Sequence, residues 1–145
     1  MTHKTREERI GEIGEHIVAN LLNCEISNDK YDMTRDMTTL DGTQIEVKTQ
    51  PRWKTANAFT VYETPTNNNI KKCLSVDRLI FVEPSKDRSF RIFECTDRTF
   101  TTRYPRGKTA YLFPVENMEL LCEIYNDDLW EEIIQLTKTE LHYLS

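Results

Sequence analysis

The chain has 145 residues, 38% hydrophobic and 30% charged, with a formal net charge of −5. That is one domain's worth of sequence with enough apolar material for a core, and without repeats or low-complexity tracts it is neither a solenoid nor a disordered tail. No apolar run approaches the ~20 residues of a bilayer span, and the polar opening Met1-Thr2-His3-Lys4 is not a secretory signal, so a cytoplasmic protein with no membrane attachment is expected.

The four cysteines, Cys24, Cys73, Cys95 and Cys122, form no Cys-x-x-Cys pair and read as reduced thiols rather than a disulfide frame or a zinc site. The negative charge is local. Residues 115–145 hold eight acids and one base out of totals of 24 and 19, so residues 1–114 hold 16 acids and 18 bases, a net of +2. Basic surfaces for a polyanion are therefore available outside an acidic C-terminal part.

In chain order, residues 6–23 predict a helix with Ile10, Ile13, Ile17 and Leu21 on its apolar stripe, flanked by Val18 and Leu22. Glu15 falls at the border of that stripe and Glu12 further towards solvent, while Gly11 and Gly14 point to close packing or access near this face. Residues 24–30 read as a polar connection. Phe59 to Tyr62 is a predicted strand, and Asn67-Asn68-Asn69 offers caps for a short helix from Ile70 to Leu74. Leu79-Ile80-Phe81-Val82 reads as a buried central strand and Phe90 to Cys95 as another, joined through Ser85-Lys86-Asp87-Arg88. A short helix is expected from Glu116 to Ile124. Asn126-Asp127-Asp128 then caps a second helix carrying Leu129, Trp130, Ile133, Ile134 and Leu136, which suit the core or a dimer contact. The order predicts a single α/β (mixed α+β) domain over residues 1–145, with a central mixed sheet flanked by helices and a helical, acidic part at about 115–145.

The chemistry concentrates in Asp36-Met37-Thr38-Thr39-Leu40-Asp41-Gly42-Thr43-Gln44-Ile45-Glu46-Val47-Lys48, a predicted β-hairpin. In its second arm Ile45 and Val47 share one face; Gln44, Glu46, Lys48 and Gln50 share the other. A two-residue Asp41-Gly42 loop would pair Met37 with Glu46. A three-residue loop, Leu40-Asp41-Gly42, pairs Asp36 with Glu46 and puts glycine where a positive φ is needed, and this loop is the one expected. Cross-strand neighbours have Cβ atoms roughly 5 Å apart, so the two carboxylates could share a divalent ion. Lys48 lies about 7 Å along the same face, within reach of a phosphate or water. Asp32 has the same facing parity but would lie about 13 Å from Glu46; it is the fallback ligand if the first arm bends. By default a Glu-Val-Lys triplet on a strand is a solvated face.

Asp36, the glycine turn, Glu46-Val47-Lys48 and the preceding helix Gly14-Glu15-His16-Ile17-Val18-Ala19-Asn20-Leu21-Leu22 together resemble the PD-(D/E)XK nuclease superfamily over roughly residues 8–50. Arg35 stands where the family often has proline. The resemblance implies a restriction-endonuclease-like core and Mg²⁺-dependent hydrolysis of DNA phosphodiesters, with Mn²⁺ able to substitute. It implies Asp36 and Glu46 as metal ligands, Glu15 as the acid completing or orienting the metal shell, Lys48 as the catalytic lysine and Gln50 as an extension of the same strand face. A homing or phage-type endonuclease, which would act in a host cytoplasm, or a Holliday-junction-resolvase-like enzyme suits the size.

For DNA contacts, Arg52, Trp53 and Lys54 follow the catalytic strand directly and Lys71 and Lys72 sit on the short helix. Arg103, Arg106 and Lys108 belong to an acid-free stretch, residues 98–108, interleaved with Phe100 and Tyr104. The competing expectation is a nuclease-fold module without catalysis that binds nucleic acid or inhibits a protein partner.

Overall fold

The computed structural model describes residues 5–22, 25–26, 37–63 and 69–137. Its elements are α1 (Arg6–Leu22), β1 (Glu25–Ile26), β2 (Met37–Thr38), β3 (Gln44–Thr49), β4 (Ala58–Glu63), α2 (Asn69–Ser75), β5 (Arg78–Pro84), β6 (Ser89–Glu94), β7 (Thr101–Arg103), β8 (Thr109–Pro114), β9 (Glu119–Tyr125) and α3 (Asp127–Thr137). Six strands form a mixed sheet in the order β1-β2-β3-β5-β6-β9, in which β3 and β5 run parallel and every other pair is antiparallel. The mixed α/β architecture is thus as expected. No helix among the described residues is long and apolar enough to cross a membrane.

Central strands need both faces covered, and β5 shows why its apolar run is continuous. Ile80 and Val82 join α1, α3, Ile45, Val47, Phe90 and Ile92 in one core. Leu79 and Phe81 join a second core with Phe59, Val61, Cys73, Phe93 and Phe113. The second face is therefore covered by α2 and a small antiparallel sheet, β4-β8-β7, and not by helices alone. Phe59 of that sheet stacks flat on Phe81, ring centroids 4.7 Å apart.

On α1 the apolar stripe is turned towards Ile13, Gly14, Ile17 and Val18, leaving Leu21 38% exposed. Gly14 explains the turn. A Cβ there would stand 1.8 Å from Thr49 Oγ1, so only glycine lets the helix lie this close to β3, whereas a Cβ at Gly11 meets nothing within 4 Å. Gly14→Ala is expected to destabilise the fold by about 1–3 kcal/mol through overpacking, even though alanine favours a helix by ~1 kcal/mol. Gly11→Ala should gain up to that ~1 kcal/mol, and urea unfolding of the two variants gives both signs.

The C-terminal part corrects one expectation. Residues 116–124 do not form a helix: a 3-10 turn (Val115–Asn117) leads into β9, which pairs with β6 along its length with a bulge at Ile92/Phe93. The outer edge of β6 carries backbone groups that must find partners, and that demand overrides the helical preference of a Glu- and Leu-rich segment. The second helix does form, with Asn126 Oδ1 accepting from Leu129 N–H at 3.1 Å. Trp130 and Ile133 are core residues rather than a dimer contact, and the Trp130 indole N–H donates to Ser85 O at 2.7 Å. Arg9 ties α3 back to α1 through both oxygens of Glu132, at 2.5 and 2.8 Å. Residues 25–26, expected as connection, add a short edge strand to β2.

Candidate active site

The hairpin has the three-residue loop. Met37 lies opposite Ile45 and Thr38 opposite Gln44. Thr39 N–H and Gly42 N–H each donate at 3.0 Å, to Thr43 O and Thr39 O, and Gly42 has φ of +89°. This is the register whose continuation sets position 36 against Glu46, although Asp36, like Asp32 and Cys24, lies outside the described residues. Asp41 locks the tip, its Oδ1 accepting from the Thr39 hydroxyl, the Thr43 hydroxyl (2.8 Å) and Thr43 N–H (3.1 Å).

Those bonds, the Thr39 hydroxyl's first, lower the Asp41 pKa from 3.8 to about 2. A carboxylate whose pKa falls on folding contributes stability above its unfolded value and loses it as pH drops through the folded value. The loop should therefore loosen between about pH 4 and pH 2. Amide exchange at Thr43 checks this: acidification should accelerate its opening in the wild type, and Asp41→Asn should abolish that pH dependence.

Along β3 the acid of the Glu-Val-Lys triplet is not solvated. Glu46 is 1% exposed, which overturns the default reading of that strand as a wet face. A buried carboxylate is tolerable only when paired, and two lysines pair it from different elements. Lys48 Nζ is 3.1 Å from Oε2, and Lys72 Nζ, arriving from α2, is 3.2 Å from Oε1. Both ammoniums belong to partly exposed side chains that line an open cavity of about 670 Å³. Its wall also carries Glu7, Glu8, Gly11, Glu12 and Glu15 of α1, with Thr49 of β3 and Gln50 just after it. Glu15 and Glu46 thus converge on one space from α1 and from the strand it covers.

A second buried carboxylate shows what scaffolding looks like here. Glu83, also 1% exposed, is gripped by Arg52 through Nε and one terminal nitrogen, both at 2.7 Å. Arg52 further bonds Asn57 Oδ1 at 3.0 Å and lies 5.5 Å from the centre of the Phe93 ring. The fork closes around Glu83 and holds Arg52 inside the structure instead of offering it to DNA. Gln50 is similarly engaged: its side-chain N–H donates to Thr60 O (2.8 Å) and its Oε1 accepts from Thr60 N–H (2.9 Å), stitching the end of β3 to β4.

The other proposed DNA contacts divide. Lys71 is exposed beside Lys72 on α2, and Trp53 (37% exposed) and Lys54 lie on the turn before β4. Arg103, Arg106 and Lys108 are exposed on the second sheet and its 3-10 turn, away from the cavity wall. Sequence reasoning placed Lys72 on a DNA-facing helix but missed its contact with Glu46, since nothing local in Asn69-Ile70-Lys71-Lys72 marks which lysine turns inward. It also missed Arg98, whose guanidinium holds the carbonyls of Cys73 (3.1 Å), Leu74 (3.2 Å), Val76 (2.5 Å) and Asp77 (3.0 Å), fixing the end of α2.

No protein-family model and no curated protein matches this chain. Among the described residues no group of three or more His, Cys, Asp and Glu is placed to hold a metal ion. Glu15 and Glu46, two carboxylates on one cavity, nevertheless fit a hard divalent cation in donor type.

Proposed function

We propose that the chain is a divalent-metal-dependent deoxyribonuclease, an endonuclease of the PD-(D/E)XK kind with a restriction-endonuclease-like core. The observation that carries this reading is the Glu46 carboxylate, buried on a β-strand yet contacted by two lysines at the wall of an open cavity that Glu15 also lines. A structural carboxylate in the same sheet is closed by an arginine fork; this one is left facing a space large enough for a phosphodiester.

Glu46 and Glu15 would hold the ion, Mg²⁺ or Mn²⁺, with Asp36 as the third carboxylate if the observed register continues by one residue. When bound, such an ion polarises a phosphate oxygen and lowers the pKa of a coordinated water. Lys48 keeps its ammonium beside Glu46 and offsets the negative charge that builds on the phosphoryl oxygens as a water attacks. Gln50, occupied by Thr60, sets the end of the strand and makes no direct contact with the phosphate in this scheme. Lys71, Trp53 and Lys54 are the cationic and aromatic groups for the flanking DNA backbone.

The test is cleavage of supercoiled plasmid and of four-way-junction DNA with Mg²⁺, with Mn²⁺ and with chelator. Nicking that requires metal and disappears in Lys48→Ala is the expected result. Folded protein that cuts none of these DNA forms would overturn the proposal.

A further inference from the structure

The second sheet has a face turned away from the core that it shares with β5. Along β4 and β8 the side chains alternate: Phe59, Val61 and Phe113 enter that core, whereas Ala58, Ala110 and Leu112 form a small cluster of their own. Strand register sets what stands beside the cluster. Tyr62, Ala110 and Arg103 lie side by side across the three strands, and so do Thr60, Leu112 and Thr101. Arg103, Thr101, Leu112 and Pro114 line, with Asn57 and Glu116, a cavity of about 310 Å³ that shares no lining residue with the one at Glu46. That is the small end of ligand pockets, which run from roughly 300 to 1,000 Å³, and leaves room for one base with its sugar.

Beyond Arg103 the chain turns through Tyr104-Pro105-Arg106-Gly107-Lys108. Arg106 (φ 51°, ψ 39°) and Gly107 (φ 79°) are both left-handed, a conformation that is costly for arginine. Tyr104 is 74% exposed and Tyr62 45%, with Lys108 Nζ 5.9 Å from the centre of the Tyr62 ring. Acids outnumber bases by 24 to 19 in this chain, and Arg9, Arg52, Arg78, Arg88 and Arg91 each meet one. Arg103, Arg106 and Lys108 form no ion pair among the described residues; Arg103 donates to Thr102 O, 3.3 Å away. Three exposed cations without a counter-charge, set among exposed rings, suit an anion that comes from outside.

Resting on the deoxyribonuclease reading only for its choice of polymer, we infer that this face is a second nucleic-acid site, separate from the Glu46 cavity, that takes a single-stranded segment of DNA. Phosphates lie along Arg103, Arg106 and Lys108, Tyr104 stacks on one base, and a neighbouring base enters the cavity beside Arg103 against Leu112 and Pro114. Single strand is favoured over duplex because a ring face and a cavity both need bases that are out of the stack. Glu116, an exposed acid on the cavity wall, can accept from the amino group of a base and would repel a phosphate, so the cavity suits the base and the turn suits the backbone. Such a site holds the unpaired arm of a branched or frayed substrate while its duplex lies at Glu46.

Fluorescence anisotropy of the full chain in chelator tests this without cleavage. The probes are a labelled single strand of about 12 nucleotides, the same strand made abasic throughout, and the corresponding duplex. Arg103→Gln/Arg106→Gln should weaken single-strand binding about tenfold or more and lower its salt slope by about 1.4. Arg6→Gln/Lys86→Gln, equal in charge loss and exposed elsewhere, should leave both nearly unchanged. Tyr104→Ala should weaken the normal strand about fivefold or more and leave the abasic strand unaffected. Equal losses from the two double variants would reduce the site to net charge and overturn the inference. Equal losses of single strand and duplex in Arg103→Gln/Arg106→Gln would overturn it too, as would binding of none of the three DNAs. Plasmid that stays uncut while these binding differences persist sinks the nuclease reading and leaves the site standing, and metal-dependent cleavage without the differences does the reverse.

Discussion

Arg52→Ala should lower the free energy of unfolding by about 3–5 kcal/mol, the largest loss we expect from a single truncation of a charged side chain in this fold. The reason lies on the other side of the pair. Glu83 is 1% exposed on β5, and Arg52 supplies both of its 2.7 Å contacts and a backbone N–H at 3.2 Å. With the guanidinium removed, the ion-pair partner that remains among the described residues is Arg91, 3.7 Å from Oε1. A carboxylate buried without its fork must either take up a proton or draw water into the sheet. The double variant Arg52→Met/Glu83→Leu removes both charges and should recover most of the loss, since a buried ion pair contributes little over well-packed apolar groups. Urea unfolding of the single and double variants measures both effects. Equal losses in the two would show that packing by the Arg52 stem, and not the stranded charge, dominates.

What the sequence makes legible here is mostly local. The αL demand of Gly42 and the spacing of Asp41 sufficed to choose the three-residue loop, because the hairpin register depends on only a few neighbouring residues. The helical period of Ile10, Ile13 and Ile17 sufficed for α1, and the unbroken Leu79–Val82 run for a central strand. Even so, the α1 face was set by contact, not period: Gly14, with no side chain to count in any periodicity, is the residue pressed against Thr49.

The rest depends on partners distant in sequence. β9 is a strand because β6 needed an edge partner, and nothing within residues 116–124 carries that information. The second sheet arises from β4 and β8, about 50 residues apart in the chain and paired over six positions from Ala58↔Pro114 to Glu63↔Thr109. The site shows the same division. Alternation put Glu46 and Lys48 on one face, but whether that face was wet depended on α2 and the second sheet covering it. Arg52, shortly after β3, looks from its position like a DNA contact, until Glu83, 31 residues later, captures it.

Glu46→Gln should reduce metal-dependent cleavage by at least ~10²–10³-fold while changing stability by less than about 1 kcal/mol, unlike the scaffold pair at Glu83. The amide keeps the volume of the carboxylate, so the packing against Leu79 on the neighbouring strand is retained. Both ammoniums lose their ion pair with Glu46, but Lys48 and Lys72 keep 23% and 19% of their side-chain surface in solvent and can turn outward along the cavity. Glu83 has no comparable outlet, because its fork is itself held by Asn57 and Phe93. Neutralising Glu46 therefore removes an anionic ligand from the proposed ion without leaving a charge stranded in the core. Parallel measurement of Mg²⁺-dependent plasmid nicking and of the urea midpoint separates the two roles. Lost activity at an unchanged midpoint marks Glu46 as a functional carboxylate, whereas a loss of several kcal/mol with metal-dependent activity intact per folded molecule would make it a second structural ion pair.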